Sequence, residues 1–207
     1  MTLWVMASAS AMSAMTFAGS TGSSEGRNAV GDLSARFAEH STLHVSGDAL
    51  RMKTVGAFDW TRRRGWSTTT TAGTPAATLR IVQLGDFCWR RFGGGGWRRS
   101  RATDVDRLCD AAAFADPATI VGELRPIADR WRKTGTSSID GVVVTHYAGS
   151  IHIGAAVSGP FDLWVDDRGI VRREIFHHGN LHDGSVTRRD YYDFGTRVVV
   201  TAPKGTK

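Results

Sequence analysis

The sequence predicts an α+β fold in which one large antiparallel sheet is interrupted by helices. Two stretches, 41–92 and 139–201, alternate polar and apolar residues with period two, which predicts two runs of consecutive strands. Between them, residues 104–131 change to alanine-rich sequence with helical periodicity. Strands, then helices, then strands again are typical of α+β proteins.

In the first run, the alternation predicts which side chains share a face. Met52 and Phe58 fall on the opposite face from Lys53, and Leu79 and Ile81 flank a charged residue in a later strand. The threonine run at 68–71 suits a strand, because β-branched side chains pack well on a pleated surface. Turn residues follow each of these segments, so we expect an antiparallel meander.

Residues 117–131 carry the clearest helical pattern of the chain. Asp116 suits the N-cap position and Pro117 the first turn. A single apolar stripe follows at helical spacing, formed by Ile120, Val121, Leu124, Ile127, Ala128 and Trp131. Pro126 lies inside this stripe and predicts a kink or a split into two helices. A second, shorter helix is predicted at 104–114.

The second run of strands contains a strong hairpin signal. The residues of the turn, Asp166 to Gly169, separate strands predicted at 161–165 and 171–177. Leu163 and Val165 share one face of the first of these strands. Segment 139–153 is predicted as one long strand or two pieces, and 185–194 and 197–201 as the last strands.

Composition bounds the class of protein and its partners. The chain has 207 residues, 41% of them hydrophobic, which suits one globular domain. Lacking any apolar run of about 18 residues, it is not a multi-span membrane protein. The net charge of +6 suits anionic partners such as nucleic acid, acidic lipid headgroups or envelope polymers, or simply a basic solvated surface.

The N-terminus reads as a degenerate export signal. Residues 1–20 are rich in Ala, Ser and Met and carry no basic residue, although a secretory signal needs one. Phe17-Ala18-Gly19-Ser20 resembles a bacterial lipobox with serine at the position of the lipidated cysteine. We therefore expect a signal and linker segment at 1–29, a single domain at 30–207, and export to the envelope or secretion. Lipid anchoring is doubtful because a hydroxyl cannot replace the thiol. A disordered tail is the alternative.

Several segments together carry a family resemblance over residues 40–203. They are Thr145-His146-Tyr147, the stretch from Leu163 to Gly169, Tyr192-Asp193-Phe194-Gly195, Val198 to Pro203, Val55 to Asp59 and the segment 117–131. This arrangement resembles the actinobacterial LppX/LprG-type lipoproteins, whose fold is similar to the periplasmic lipoprotein carrier LolA.

The resemblance implies a curved antiparallel half-barrel with helices packed on its concave face, a LolA-like domain. It also implies a non-enzymatic protein, without metal or cofactor, that binds an acyl-chain lipid or lipoglycan between sheet and helices. We expect a monomer, with an anionic membrane surface as a further partner and no nucleic acid. The predicted ligand-binding residues are Met52, Phe58, Leu79, Ile81, Val121, Leu124, Ile127, Trp131, Leu163 and Val165.

Other interpretations stay open at this stage. The same apolar residues would equally fill a solid core, which would leave an envelope interaction protein without a lipid ligand. Interleaved arginines and tryptophans at 60–66 and 89–101 would suit a nucleic-acid-binding module. Cys88 and Cys109 either pair, if the protein is exported, or remain free thiols.

Two weaker constellations point to chemistry. His177, His178 and His182 resemble a metal site in composition, although neighbours on a strand point to opposite faces. His146 with Asp140 and Ser150 would make a hydrolase triad, but no nucleophile motif supports it. We expect neither a catalytic site nor a metal site.

Overall fold

The computed structural model describes residues 33–45, 48–72, 76–101, 115–153, 157–178 and 184–205. Within these ranges the chain forms an 11-stranded antiparallel sheet and one short helix. The strands are β1 (Ser34–Val45), β2 (Asp48–Asp59), β3 (Arg64–Ala72), β4 (Thr78–Leu84), β5 (Phe87–Phe92), β6 (Arg98–Arg101), β7 (Ala128–Ile139), β8 (Val142–Ile153), β9 (Val157–Val165), β10 (Val171–His178) and β11 (Ser185–Tyr192), and the helix is α1 (Ile120–Leu124).

The sheet consists of two meanders joined at one seam. Strands β1 to β6 neighbour each other in sequence order, as do β7 to β11, and β1 pairs antiparallel with β11. The resulting sheet is curved and open, with β6 at one edge and β7 at the other. The prediction of a single large antiparallel sheet built from two runs of consecutive strands is confirmed.

The chain passes from one edge of the sheet to the other between Arg101 and Ala128. Ile120 and Leu124 of α1 pack on side chains of one face, which we call the inner face. Two hydrogen bonds attach the residues before α1 to that face. The backbone N–H of Val171 donates to the Pro117 carbonyl at 2.9 Å, and the Tyr191 hydroxyl donates to the Ala115 carbonyl at 3.3 Å.

The helix predicted at 117–131 is wrong in its extent. Helix α1 has five residues, and its N-cap is Thr119, without a side-chain cap, rather than Asp116. Asp116 instead accepts the backbone N–H of Ala118 at 2.9 Å in a preceding turn. Pro126 cannot donate within a helix, so the chain turns there and continues from Ala128 as β7. The helices predicted on the concave face are therefore reduced to α1 among the described residues.

Several other predictions can be compared with the described ranges. Segment 139–153 is two pieces, because Asp140 and Gly141 form a turn at φ 49° and 78°. The turn at 166–169 is confirmed between β9 and β10. Residues 197–201 do not form a strand. The predicted helix at 104–114 and the segment 1–29 lie outside the described residues.

The core lies on the inner face. Alternation put Leu163 and Val165 on a buried face, and the structure confirms this with exposed fractions of 0% and 5%. Close packing on the inner face requires a glycine at one position of β2. A Cβ at Gly56 would lie 2.5 Å from the ring of Phe37, so glycine lets that ring lie directly on β2.

Candidate functional site

The inner face carries a large apolar cluster, a small apolar cluster and a set of buried or half-buried polar side chains. The large cluster includes Ile120 and Leu124 of α1 and gathers residues from both meanders, among them Phe37, Phe58, Leu79, Ile81, Phe161, Leu163 and Val165. At the far end of β1 and β2, Leu43 and Met52 form a separate small cluster with Leu50. Between the two lies a polar band, which we define by the buried or half-buried side chains Glu39, Ser41, Thr54, Thr69, Glu174, Thr187 and Arg189.

Strand register places the polar band across five neighbouring strands. Glu39 on β1 is opposite Arg189 on β11 and Thr54 on β2. Arg189 in turn is opposite Glu174 on β10, and Thr54 is opposite Thr69 on β3. Side chains of directly opposed residues lie on the same face and within reach of each other.

Arg189 is the centre of a buried ionic cluster. Its guanidinium binds Glu39 through Nε at 2.9 Å and also through Nη2, which makes a fork-like contact with Oε2. Its Nη1 lies 3.1 Å from Oε1 of Glu174. The Tyr191 hydroxyl lies 3.3 Å from the same Glu174 oxygen. Two carboxylates therefore share one buried guanidinium, which leaves the cluster with one excess negative charge when both are ionised.

Burial and mutual charge shift the pKa values within this cluster. Burial raises the pKa of Glu174, and the nearby charge of Glu39 adds to the rise while Arg189 opposes it. Burial also raises the pKa of Tyr191 far above its ordinary value, so its hydroxyl keeps its proton. For Arg189, burial is the largest single effect and would lower the pKa, but Glu39, Tyr191 and Glu174 together outweigh it and the net shift is upward.

Hydroxyl groups add further hydrogen bonds to the polar band. Ser41 lies 3.3 Å from Oε1 of Glu39 and 3.2 Å from the Thr187 hydroxyl. Thr187 also contacts Nε2 of His178 at 3.1 Å, and the Thr54 and Thr69 hydroxyls meet at 2.9 Å. A buried polar network with its partners in place fixes the geometry of the strands that carry it.

Comparison with known proteins identifies the fold. A Streptomyces coelicolor protein named "Putative lipoprotein SCO4650" is 30% identical over 186 residues, a match that covers 77% of this chain and 64% of that protein. This chain therefore spans less than two thirds of that relative's length. The crystal structure of LprF from Mycobacterium bovis superposes with a TM-score of 0.50 at 14% identity, covering 84% of this chain and 91% of LprF. The chain shares the fold of the LppX/LprG-type lipoproteins.

A second structural relative is more distant. The Mycobacterium tuberculosis lipoprotein LppX aligns over 95% of this chain and 99% of its own, with a TM-score of 0.44 and 15% identity.

No protein-family model matches the sequence. Among the described residues, no helix combines the length and the apolar character needed to cross a membrane.

Most of the predicted ligand-binding residues of this LppX/LprG-type fold meet on the inner face. Phe58, Leu79, Ile81, Leu124, Leu163 and Val165 belong to the buried apolar cluster, and Val121 and Trp131 pack against it. Trp131 does so from β7 rather than from a helix, and its ring stacks on Tyr147 at 5.3 Å between centroids. Met52 lies apart, in the small cluster beyond the polar band. Ile127 is 39% exposed and does not join either cluster.

The histidines of the outer face form a different arrangement from those proposed from sequence. His146 does not meet Asp140 and Ser150. Its Nε2 lies 2.8 Å from Asp162, its Nδ1 lies 2.6 Å from the Thr134 hydroxyl, and its ring stacks flat on Trp164. This chain of hydrogen bonds lies on the face opposite the apolar cluster.

The histidine metal site is not formed by the described residues. His177 lies 3.8 Å from Asp162 on the outer face, whereas His178 binds Thr187 on the inner face. The expectation that neighbouring strand residues diverge is confirmed. His182 lies outside the described residues, and no group of three metal-ligating side chains occurs within them.

Cys88 is disulfide-bonded and fully buried on the inner side of β5. The alternative of a free thiol at this position is therefore wrong. The sequence has one other cysteine, Cys109, which lies outside the described residues.

Sequence reasoning missed the ionic cluster entirely. A weak signal existed, because Glu39 is in phase with Phe37 and Leu43 on β1, and Arg189 is in phase with Tyr191 on β11. A charged residue that shares the period of buried apolar neighbours points inward, where it needs a partner. The partner could not be chosen from sequence, since Glu39 and Arg189 are 150 residues apart.

Proposed function

We propose that this chain binds acylated lipids or lipoglycans in the bacterial cell envelope, without enzymatic chemistry, between the inner face and the segment that crosses it. The observation that carries the proposal is the apolar contact between α1 and the curved sheet. Ile120 and Leu124 share one cluster with side chains from both meanders. The lipoprotein name of the Streptomyces relative supports the envelope location.

The energetics suit a carrier of acyl chains. Each buried methylene contributes about 0.8 kcal/mol, so a dozen-carbon chain gains on the order of 10 kcal/mol before entropy costs. Helix α1 has five residues and is attached to the sheet mainly by apolar contacts. Such contacts are non-directional, so an acyl chain can replace them without leaving polar groups unsatisfied. The ten predicted residues are the proposed contacts, with exposed Ile127 at the margin.

The polar band sets a limit on where the acyl chains lie. Glu39, Arg189 and Glu174 are buried and bonded to one another, so inserting a hydrocarbon among them would break charged hydrogen bonds. We therefore place the acyl chains on the α1 side of the polar band, against Val165, which lies opposite Val171 in the strand register.

A second candidate is an envelope interaction protein with a filled core. It is favoured by the burial of Phe37, Phe161 and Leu163, which are 1%, 1% and 0% exposed within the protein's own packing. A core closed at this density would leave no room for a ligand.

Native mass spectrometry of the protein expressed in a lipid-rich actinobacterial host separates the two candidates. Lipid binding predicts co-purifying masses of acylated lipids on the wild type and their loss in Leu124→Arg. The neighbouring exposed position provides the control variant, Arg125→Ala, which should keep its lipid. A lipid-free wild type that also takes up none from vesicles would favour the filled core. Circular dichroism checks that both variants fold.

A further inference from the structure

The strands β4 to β6 carry a group of arginines that the rest of the fold does not explain. We define the arginine surface as Arg80 on β4, Arg91 on β5 and Arg99 on β6, together with Trp97; the strand register puts the three arginines on the outer face. Arg80 lies directly opposite Arg91 in the strand register. Like charges in directly opposed positions destabilise a sheet, so this placement costs free energy of folding.

No carboxylate compensates these three arginines within the described part of the chain. Segment 87–101 contains neither Asp nor Glu. Elsewhere, arginines pair with carboxylates repeatedly. Those that do are Arg36, Arg62, Arg63, Arg64, Arg168, Arg172, Arg173, Arg188 and Arg189. Within the described residues this is a local excess of positive charge, and such an excess is complementary to an anionic partner.

Aromatic rings hold two of the guanidinium groups in place. Arg99 lies 3.8 Å above the ring of Phe87, and Arg91 lies 5.0 Å from the ring centre of Trp97. Stacking of this kind uses the flat face of the guanidinium, so the exposed Arg99 keeps its in-plane N–H donors available for phosphate oxygens. The Nε of half-buried Arg91 is covered by the protein. The rings themselves are covered by guanidinium groups, which makes them poor platforms for stacking nucleic-acid bases.

The hairpin tip next to these arginines is suited to a bilayer surface. Gly93 to Gly96 are exposed, and the half-buried rings of Phe92 and Trp97 flank them. A tip without side chains lets the backbone approach headgroups closely, and tryptophan favours the membrane–water interface.

From this charge and geometry we infer that the arginine surface docks the protein onto a membrane surface rich in anionic phospholipid headgroups. The inference does not depend on lipid binding at the inner face. It concerns the outer surface and the edge of β4 to β6, and it holds for a filled core as well.

Flotation with phospholipid vesicles tests this docking. We expect the full chain to bind vesicles containing phosphatidylglycerol, to ignore vesicles of phosphatidylcholine alone, and to bind more weakly as salt rises. Each arginine near an anionic surface contributes about a five-fold factor, so Arg91→Gln/Arg99→Gln should lower partitioning roughly thirty-fold. Adding Trp97→Ala to this double variant should lower vesicle partitioning further.

A charge-matched variant supplies the control. Arg125 and Arg132 are exposed, lie away from β4 to β6, and have no carboxylate partner among the described residues. Arg125→Gln/Arg132→Gln should leave partitioning within about two-fold of the wild type, since the same net charge is lost elsewhere. Equal loss in both double variants, binding to neutral vesicles, or binding to a single-stranded oligonucleotide in place of vesicles would overturn the inference. Unchanged melting temperatures exclude misfolding as the cause.

Discussion

Arg189 on β11 binds Glu39 on β1, and both side chains are buried, at 4% and 7% exposure. The pair crosses the β1–β11 junction, which is where the two meanders become one sheet. A buried guanidinium between two carboxylates thus lies at the seam on which the curved sheet depends. Its partners specify which strands meet there, because an alternative register would leave these charges unpaired.

Replacing Arg189 by Met should destabilise the fold strongly. It would leave Glu39 and Glu174 buried without a cation, a change that costs about 3–5 kcal/mol. The matched control is Arg188→Met, since Arg188 is exposed on the other face and pairs with Asp190. An exposed pair contributes about 0–1 kcal/mol, so the control should shift stability little. Denaturant unfolding measures both, and equal shifts would contradict the role given to Arg189.

Glu174 should make the protein less stable as pH rises. Its pKa is raised from an ordinary value of 4.5, so above that value the folded state holds more protons than the unfolded state. Stability therefore falls with rising pH from about the ordinary pKa through the folded-state pKa. Glu174→Gln removes this titration but keeps an acceptor for Arg189. The free energy of unfolding of the variant should gain on that of the wild type as pH rises, and a constant difference would refute the assignment.

Asp166 should have the opposite effect: through this residue the protein should lose stability as pH falls. Its Oδ1 accepts the backbone N–H groups of Arg168 and Ile170 at 3.0 and 2.9 Å, and its Oδ2 accepts Arg172. Burial alone would raise its pKa, but these hydrogen bonds and arginine charges lower it overall. Its contribution is present above the ordinary pKa of 3.8 and is lost as pH falls through the lower folded-state value.

Asp166→Asn should therefore cost about 2–3 kcal/mol near neutral pH, because charged hydrogen bonds become neutral ones. The difference from the wild type should shrink in acid. Asp167→Asn, at the exposed neighbouring position of the same turn, serves as the control and should have little effect. Chemical denaturation across a pH series measures these values. A pH-independent difference would show that the turn does not depend on the Asp166 charge.

Gly56→Ala should disturb the contact between β1 and β2. The added Cβ would lie 2.5 Å from both the Phe37 ring and the backbone carbonyl of Trp66, and the backbone cannot move aside easily. Overpacking of this kind costs about 1–3 kcal/mol. Gly96→Ala meets no atom within 4 Å and is the control. Thermal melts of the two variants should differ clearly, and overlapping curves would contradict the packing described.

Alternation predicted much of the sheet because it is a local property. Leu79, Ile81, Leu163 and Val165 could be placed on a buried face without knowing which strands they pair with. The turn at 166–169 could also be predicted from its own residues, because Asp and Gly favour turns. The β1–β11 seam could not be predicted, since it joins segments from opposite ends of the chain.

The predicted helix failed beyond Pro126, where a kink or a second helix was expected, because long-range strand pairing is not visible in local periodicity. Pro126 ends the helical segment, and β8 provides the hydrogen bonds that hold Trp131 in a strand. The predicted ligand-binding residues could be identified from the sequence because their side chains are apolar. The ionic cluster was missed because charged strand residues were assigned to solvent, and only the register reveals that Glu39 meets Arg189.

Photo-crosslinking with a diazirine-labelled phospholipid, followed by peptide mass spectrometry, tests the central claim most directly. Lipid binding at the inner face predicts labels on Phe58, Leu79 or Leu163, and their loss when unlabelled lipid competes. Labels confined to the exposed apolar side chains Val143 and Val199, or no competable label at all, would contradict it.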